Sequence, residues 1–184
     1  MLVTKTYLRE RAVTYARKWA LSRNPLFVDY TGRGGNCTNF VSQCIYAGSC
    51  TMNYTPVYGW YYLTEANRSA AWTGVEFLYN FLTTNMGPGP FGREVPLKEA
   101  QPGDVIQLYR EDEGWYHSLL LIGFDEDGGA LVAAQSNDAL DRPLSSYTYD
   151  QDRFIHIAGV RLTVPDIGDC YESLLDGVAI IPND

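Results

Sequence analysis

The sequence predicts an α+β domain, with helices in its first half and an antiparallel sheet of four to five strands in its second. Three observations carry this. Up to about residue 84 the apolar residues recur at helical spacing. After Gly103 they fall into short runs separated by turn residues. The chain has 184 residues, of which 46% are hydrophobic, which suits one core and a single domain over 1–184.

Residues 6–23 place Leu8, Ala12, Tyr15, Ala16, Trp19 and Ala20 on one stripe, and charged residues fill the other face. Asn24-Pro25 ends this helix. A second helix begins at Cys37, with Phe40, Val41, Cys44 and Ile45 on one face and Gly48 as its stop. Residues 49–72 are aromatic and irregular, and predict a long ordered loop. Val75, Phe77, Leu78, Phe81 and Leu82 predict a third helix over 72–84, and NMGPGPFG reads as a loop. Strands are expected at 104–109, 116–124, 130–137, 154–163 and 176–181, with the turn DEDGG joining the second to the third.

The formal net charge of −8 argues against a nucleic-acid partner, which would call for a basic surface. No run of about 20 apolar residues exists to span a bilayer. The charged N-terminal stretch lacks a secretory core, so a cytoplasmic protein is expected, or a secreted one if a signal was removed before Met1. The four cysteines, Cys37, Cys44, Cys50 and Cys170, form no CxxC pair and no metal spacing. A reduced compartment is the simpler reading, with a single bridge between two of them left open.

The stretch GGNCTNFVSQCIYAG puts Cys37 at the start of a helix behind a two-glycine elbow. A thiol becomes a strong nucleophile when it ionises, and the positive end of a helix favours the thiolate. The same unpaired N–H groups can hold an oxyanion beside the sulfur. Cys44, two turns on, has neither elbow nor helix end and reads as core. An imidazole is needed to take and return the proton. Only His117 and His156 are available. His117, at the start of a strand, is the better base, and His156, inside FIHIAG, reads as a satisfied strand histidine. A hairpin turn at 127–129 would return Gln135 and Asn137 beside His117, where either could orient the ring; a one-residue register shift would favour Asp138.

The motifs NCTNFVSQCIYAG, PGDVIQLY, HSLLLIG, SNDALDRPLSSY and RFIHI together resemble the bacterial putative amidase domain family, a branch of the papain-like NlpC- and CHAP-type cysteine hydrolases. The resemblance runs from about Tyr15 to Ile157. It implies a papain-like fold with Cys37 as nucleophile, His117 as base, Gln135 or Asn137 as third member, and Asn36 and Thr38 as oxyanion or supporting residues. It departs at Gln135, where the family more usually has His, and at Asn36, where Asp is more frequent. Asp104 matches a recurring Gly-Asp taken as structural.

The implied reaction is hydrolysis of an amide or peptide bond through a Cys37 thioester, with no metal or organic cofactor. The implied partner is a peptide or amide substrate, with cell-wall peptides the leading class. Tyr54, Tyr58, Trp60, Tyr61 and Tyr62 either line a groove beside the site or cover the sheet. Two alternatives stand beside hydrolysis: acyl or peptidyl transfer on the same fold, and a binding module that has lost turnover.

Overall fold

The computed structural model describes residues 1–163 and 168–180. Its architecture is α+β, with helices packed on an antiparallel sheet of seven strands, larger than the four or five expected. The chain begins with strand β1 (Leu2–Lys5) and helix α1 (Arg9–Trp19), and continues to α2 (Cys37–Ser49). A small hairpin, β2 (Tyr62–Thr64) and β3 (Asn67–Arg68), and helices α3 (Ala70–Thr73) and α4 (Val75–Thr84) follow. Strands β4 (Gly89–Val95), β5 (Val105–Arg110), β6 (Gly114–Phe124), β7 (Ala130–Ala134), β8 (Ala139–Pro143) and β9 (Gln151–Thr163) complete the main sheet, and α5 (Tyr171–Asp176) lies after it.

Strand β9 organises the sheet. Its thirteen residues pair with β5 through 151–155, with β4 through 154–161 and with β1 through 160–163. Because the β4 pairing overlaps the other two, β5 and β1 share the opposite edge of β9. From β5 the order runs through β6 and β7 to β8.

The sheet is buried on both faces. Val105, Leu120, Ile122, Ala133, Ile155 and Ile157 join the core beneath the helices. Ile106, Leu108, Leu119, Leu121, Val132, Ala134 and Phe154 form a second core with Val95, Ala100 and Leu144. Side chains alternate along a strand, so odd positions from 117 to 121 of β6 belong to one layer and even positions to the other.

All thirteen residues of α2 are buried. Its polar side chains are tolerated because they find partners: Ser42 and Asn39 accept from the indoles of Trp60 and Trp72, and Gln43 accepts from the Tyr15 hydroxyl. Trp72 anchors an aromatic cluster with Phe27, Tyr46, Trp60 and Tyr62. Of the aromatic segment, Trp60 and Tyr62 are therefore core, while Tyr54 and Tyr58 are exposed.

The strand expected at 176–181 is not formed over 176–180; Asp176 ends α5, and residue 181 lies outside the described residues. The strand expected over 130–137 stops at Ala134, where a turn begins. NMGPGPFG, read as a loop, contains the start of β4.

Cys50 and Cys170 form a disulfide across 120 residues, leaving Cys37 and Cys44 free. Of the two readings the sequence left open, the structure shows the single bridge and not the simpler, fully reduced one. Cys50 is the left-handed C-cap of α2 and Cys170 the N-cap of α5, so the bridge clamps α5 against the end of α2. Closing so long a loop stabilises a fold by about 3–5 kcal/mol. Titration of non-reduced, denatured protein is expected to find two free thiols per chain. The double variant Cys50→Ala/Cys170→Ala is expected to lower the denaturant midpoint by a corresponding amount.

Candidate active site

Cys37 is the first residue of α2. Gly34 and Gly35 hold φ of +98° and +102° just before it, backbone that residues with a Cβ rarely adopt. Around Gly34 a Cβ would meet open space. The chain thus reaches the helix through an uncluttered elbow. The side chain of Asn36 does not cap α2. Its Oδ1 accepts from the backbone N–H of Tyr30 and from Nδ2 of Asn39, and its Nδ2 donates to Oε1 of Gln135. Phe40 N–H bonds back to the Asn36 carbonyl. Among the described residues, the N–H groups of Cys37, Thr38 and Asn39 have no acceptor, which leaves donors at the helix tip for an incoming anion.

Cys37 as a residue is 9% exposed. Its Sγ lies 3.7 Å from Thr38 Oγ1, which is 2.9 Å from Ser118 Oγ on β6. Behind Ser118 a buried polar chain continues. Gln107 Nε2 reaches Ser118 Oγ at 3.2 Å, and Gln107 Oε1 accepts from Arg153 Nε and Nη2 at 2.9 and 2.6 Å. Arg153 is 7% exposed, lies between the rings of Tyr79 and Trp115, and pairs with Glu76 of α4.

The other expected members lie elsewhere. Leu108, of the second core, is the register partner of His117, while Gln107 and Ser118 face the helices. His117 therefore points to the layer opposite Cys37, and the expected Cys37–His117 pair is not assembled. Its ring lies beside Tyr116 and Tyr147. Among the described residues its nitrogens have no hydrogen-bond partner. Burial, reinforced by the charges of Arg142 and Arg110, holds its pKa down to about 4.

Gln135 does not orient His117 either. Besides accepting from Asn36, its Nε2 donates to the carbonyls of Trp19 and Ser22, tying the elbow to the end of α1. Asn137 is exposed in the turn between β7 and β8, with φ +75°. Asp138 is held by Arg23. His156 Nδ1 lies 2.9 Å from Asp104 Oδ2, and fully buried Asp104 also binds Arg9 and the Ile157 N–H. Thr38 and Asn36 stand on either side of Cys37 in the chain, with Thr38 Oγ1 3.7 Å from its sulfur. Ser118, Gln107 and Arg153 escaped the sequence reading; their signal was a polar residue inside each of three apolar strands.

The profile of a known family, described as a putative amidase domain, matches residues 6–158. The chain belongs to the putative amidase domain family. The family's description is that of an amidase-type, and so hydrolase-type, domain. The putative amidase domain is also similar to the uncharacterized protein YhbB of Bacillus subtilis (strain 168), with 32% identity over 135 residues. Those residues are 72% of this chain and 42% of YhbB, so the chain spans less than half of that relative. No solved structure matches it. Among the described residues, no helix is long and apolar enough to cross a membrane, and no cluster of His, Cys, Asp and Glu could hold a metal ion.

The neutral, buried His117 makes stability depend on pH. Its folded pKa of about 4 lies below the ordinary 6.5, so between these values the unfolded chain binds more protons. The protonation-linked penalty of His117 is absent above about pH 6.5 and grows as pH falls towards 4, to about 3 kcal/mol at most. Denaturant titrations of wild type and His117→Leu are expected to diverge in slope over that window, with the variant flatter, and to run parallel above it.

Proposed function

We propose that this putative amidase domain is a thiol-dependent amide or peptide hydrolase with Cys37 as its nucleophile. One observation supports this above the rest: a free thiol stands on the first residue of α2, beside unengaged N–H groups and behind an open glycine elbow. In the reaction the thiol loses its proton to solvent. The thiolate adds to the substrate carbonyl, and the helix-tip N–H groups hold the oxyanion. The C–N bond then breaks, the amine leaves with a proton from water, and a Cys37 thioester remains. Attack by water releases the acid and restores the thiol. A transferase would differ only in the amine that replaces water.

His117 has no part in this sequence, because it faces the other layer. The papain-like kinship rests on the resemblance of the motifs, and cell-wall-type peptides remain the leading substrate class on the same ground. Exposed Tyr54 and Tyr58 offer aromatic surface to such a ligand. The Cys50–Cys170 bridge suits an oxidising compartment, where cell-wall peptides are also met.

A second reading is favoured by the same placement of His117. A thiol without an adjacent imidazole is a poor catalyst, so the domain would bind an amide-bearing ligand and release it unchanged. A groove of about 770 Å³ over the second core, lined by Val95, Leu97, Leu144, Tyr149 and Phe154 among others, gives such a module a further surface.

Purified peptidoglycan stem peptides and a peptide-anilide library serve as probes, read by product release and by intact-protein mass. Hydrolysis is expected with wild type and lost with Cys37→Ala, with a Cys37 acyl adduct seen on rapid acid quench. His117→Leu is expected to keep kcat/KM within about threefold, since general-base removal at a working dyad costs about 100-fold or more. Ligand binding without turnover, unchanged in Cys37→Ala, would establish the second reading instead.

A further inference from the structure

We infer that Arg153 is a positioning residue that stabilises the Cys37 thiolate from across the sheet, through Gln107, Ser118 and Thr38. The inference rests on the reading of Cys37 as nucleophile and gives the site an electrostatic element that requires no histidine.

Direction in this chain is set from its charged end. A guanidinium only donates, so the Gln107 atom facing Arg153 at 2.6 and 2.9 Å must be the carbonyl oxygen. The amide nitrogen is thereby turned the other way. It donates one hydrogen to the Val75 carbonyl at 2.8 Å and the other to Ser118 Oγ at 3.2 Å. Ser118 Oγ accepts that hydrogen, and Thr38 Oγ1 at 2.9 Å is the one other partner in reach among the described residues, so we assign the Ser118 hydrogen to Thr38, the arrangement that leaves it paired. The Thr38 hydrogen is then free for Cys37 Sγ, 3.7 Å away. With these assignments every link donates toward the sulfur.

Burial gives the chain its weight. Thr38, Gln107 and Ser118 are fully buried and Arg153 nearly so. In such surroundings each hydrogen bond polarises the next, and a charge at one end is felt further than in water. Arg153 is kept in place by Tyr79 and Trp115 on its faces and by Glu76, whose side chain is more than half exposed. Glu76 accepts from the same Nη2 that donates to Gln107 and offsets part of the charge, whereas Nε donates to Gln107 and keeps the inner edge of the guanidinium turned to the amide.

The test is alkylation of the full-length, disulfide-intact chain by iodoacetamide, followed at Cys37 by peptide mass spectrometry. The readout is the ratio of rates at about pH 7 and about pH 10, which reports thiolate stabilisation and not access. Fully buried Cys44 stays unlabelled in a folded variant and so reports folding in the same sample. Thr38→Val and Ser118→Ala are each expected to lower the ratio about tenfold, the size of one hydrogen bond to a charged acceptor. Thr38→Ser is expected to restore it to within about twofold. Arg153→Leu/Glu76→Leu, which removes cation and counter-ion together, is expected to lower it with Thr38 and Ser118 intact. Unchanged ratios in folded variants would overturn the relay. Amide hydrolysis that survives Cys37→Ala would overturn the nucleophile assignment instead, through a measurement independent of these ratios.

Discussion

The hydrogen bond between Thr38 and Ser118 is the contact on which the site's geometry depends. It joins the first turn of α2 to the middle strand of the sheet, and it is made between two fully buried hydroxyls. Breaking it would leave Ser118 Oγ with Gln107 alone and Thr38 Oγ1 with only the Cys37 sulfur, so one buried hydroxyl hydrogen would lose its acceptor, which costs more than the bond itself is worth. It therefore fixes the height of the helix tip over β6 and settles which face of β6 the tip sees. Asn36 and Ser136 add a second tie: the Asn36 N–H donates to Ser136 Oγ, while its side chain engages Gln135. The elbow before Cys37 is thus held between two strands and the end of α1, although its glycines give it no rigidity of their own.

Much of the helical half was legible because its periodicity is strong. Phe40, Val41, Cys44 and Ile45 announce α2, and Leu78, Phe81 and Leu82 announce α4, since one face of each must be covered. Strands β5, β6 and β9 were legible for their apolar runs. The missed strands share a cause. β1 is only four residues long, and β4 opens with Gly89-Pro90 and β8 closes on Pro143, so the first is too short to show alternation and the other two read as loop by composition. Their pairing is imposed by neighbours that need an edge covered. The turn at Gln135–Asp138 was hidden for a related reason: two of its residues, Ser136 and Asn137, adopt positive φ that the sequence QSND did not advertise.

The candidate site was half legible. Cys37 stood out through its glycine elbow and helix start, both local features. Its relation to His117 is not local. In a strand with one wet face, alternation would have shown which way His117 points. β6 is apolar on both faces, so Leu119, Leu120, Leu121 and Ile122 run on without alternation and hide the parity. The register is decided by β5, where Gln107 meets Ser118 and Leu108 meets His117. A bulge just before, where Leu108 and Tyr109 pair with His117 and Trp115, leaves Tyr116 beside the imidazole. Polar Ser118, Gln107 and Arg153 were the residues that marked the inner face, each conspicuous only once the three strands are laid side by side.

The two kinds of sulfur in this domain are compatible because α2 separates them. Cys37 begins the helix and Cys50 follows its last residue. At about 1.5 Å per residue the two ends stand roughly 20 Å apart. A thiolate at one end cannot attack the disulfide at the other, since exchange needs sulfur-to-sulfur contact. Cys44, midway, is fully buried and its thiol is pushed well above its usual range by desolvation, so it offers no stepping stone. One wholly buried helix therefore carries a free thiol at its N-terminal end and anchors a bridge at its C-terminal end. The bridge can bear an oxidising environment while Cys37 has no intramolecular partner with which to be oxidised.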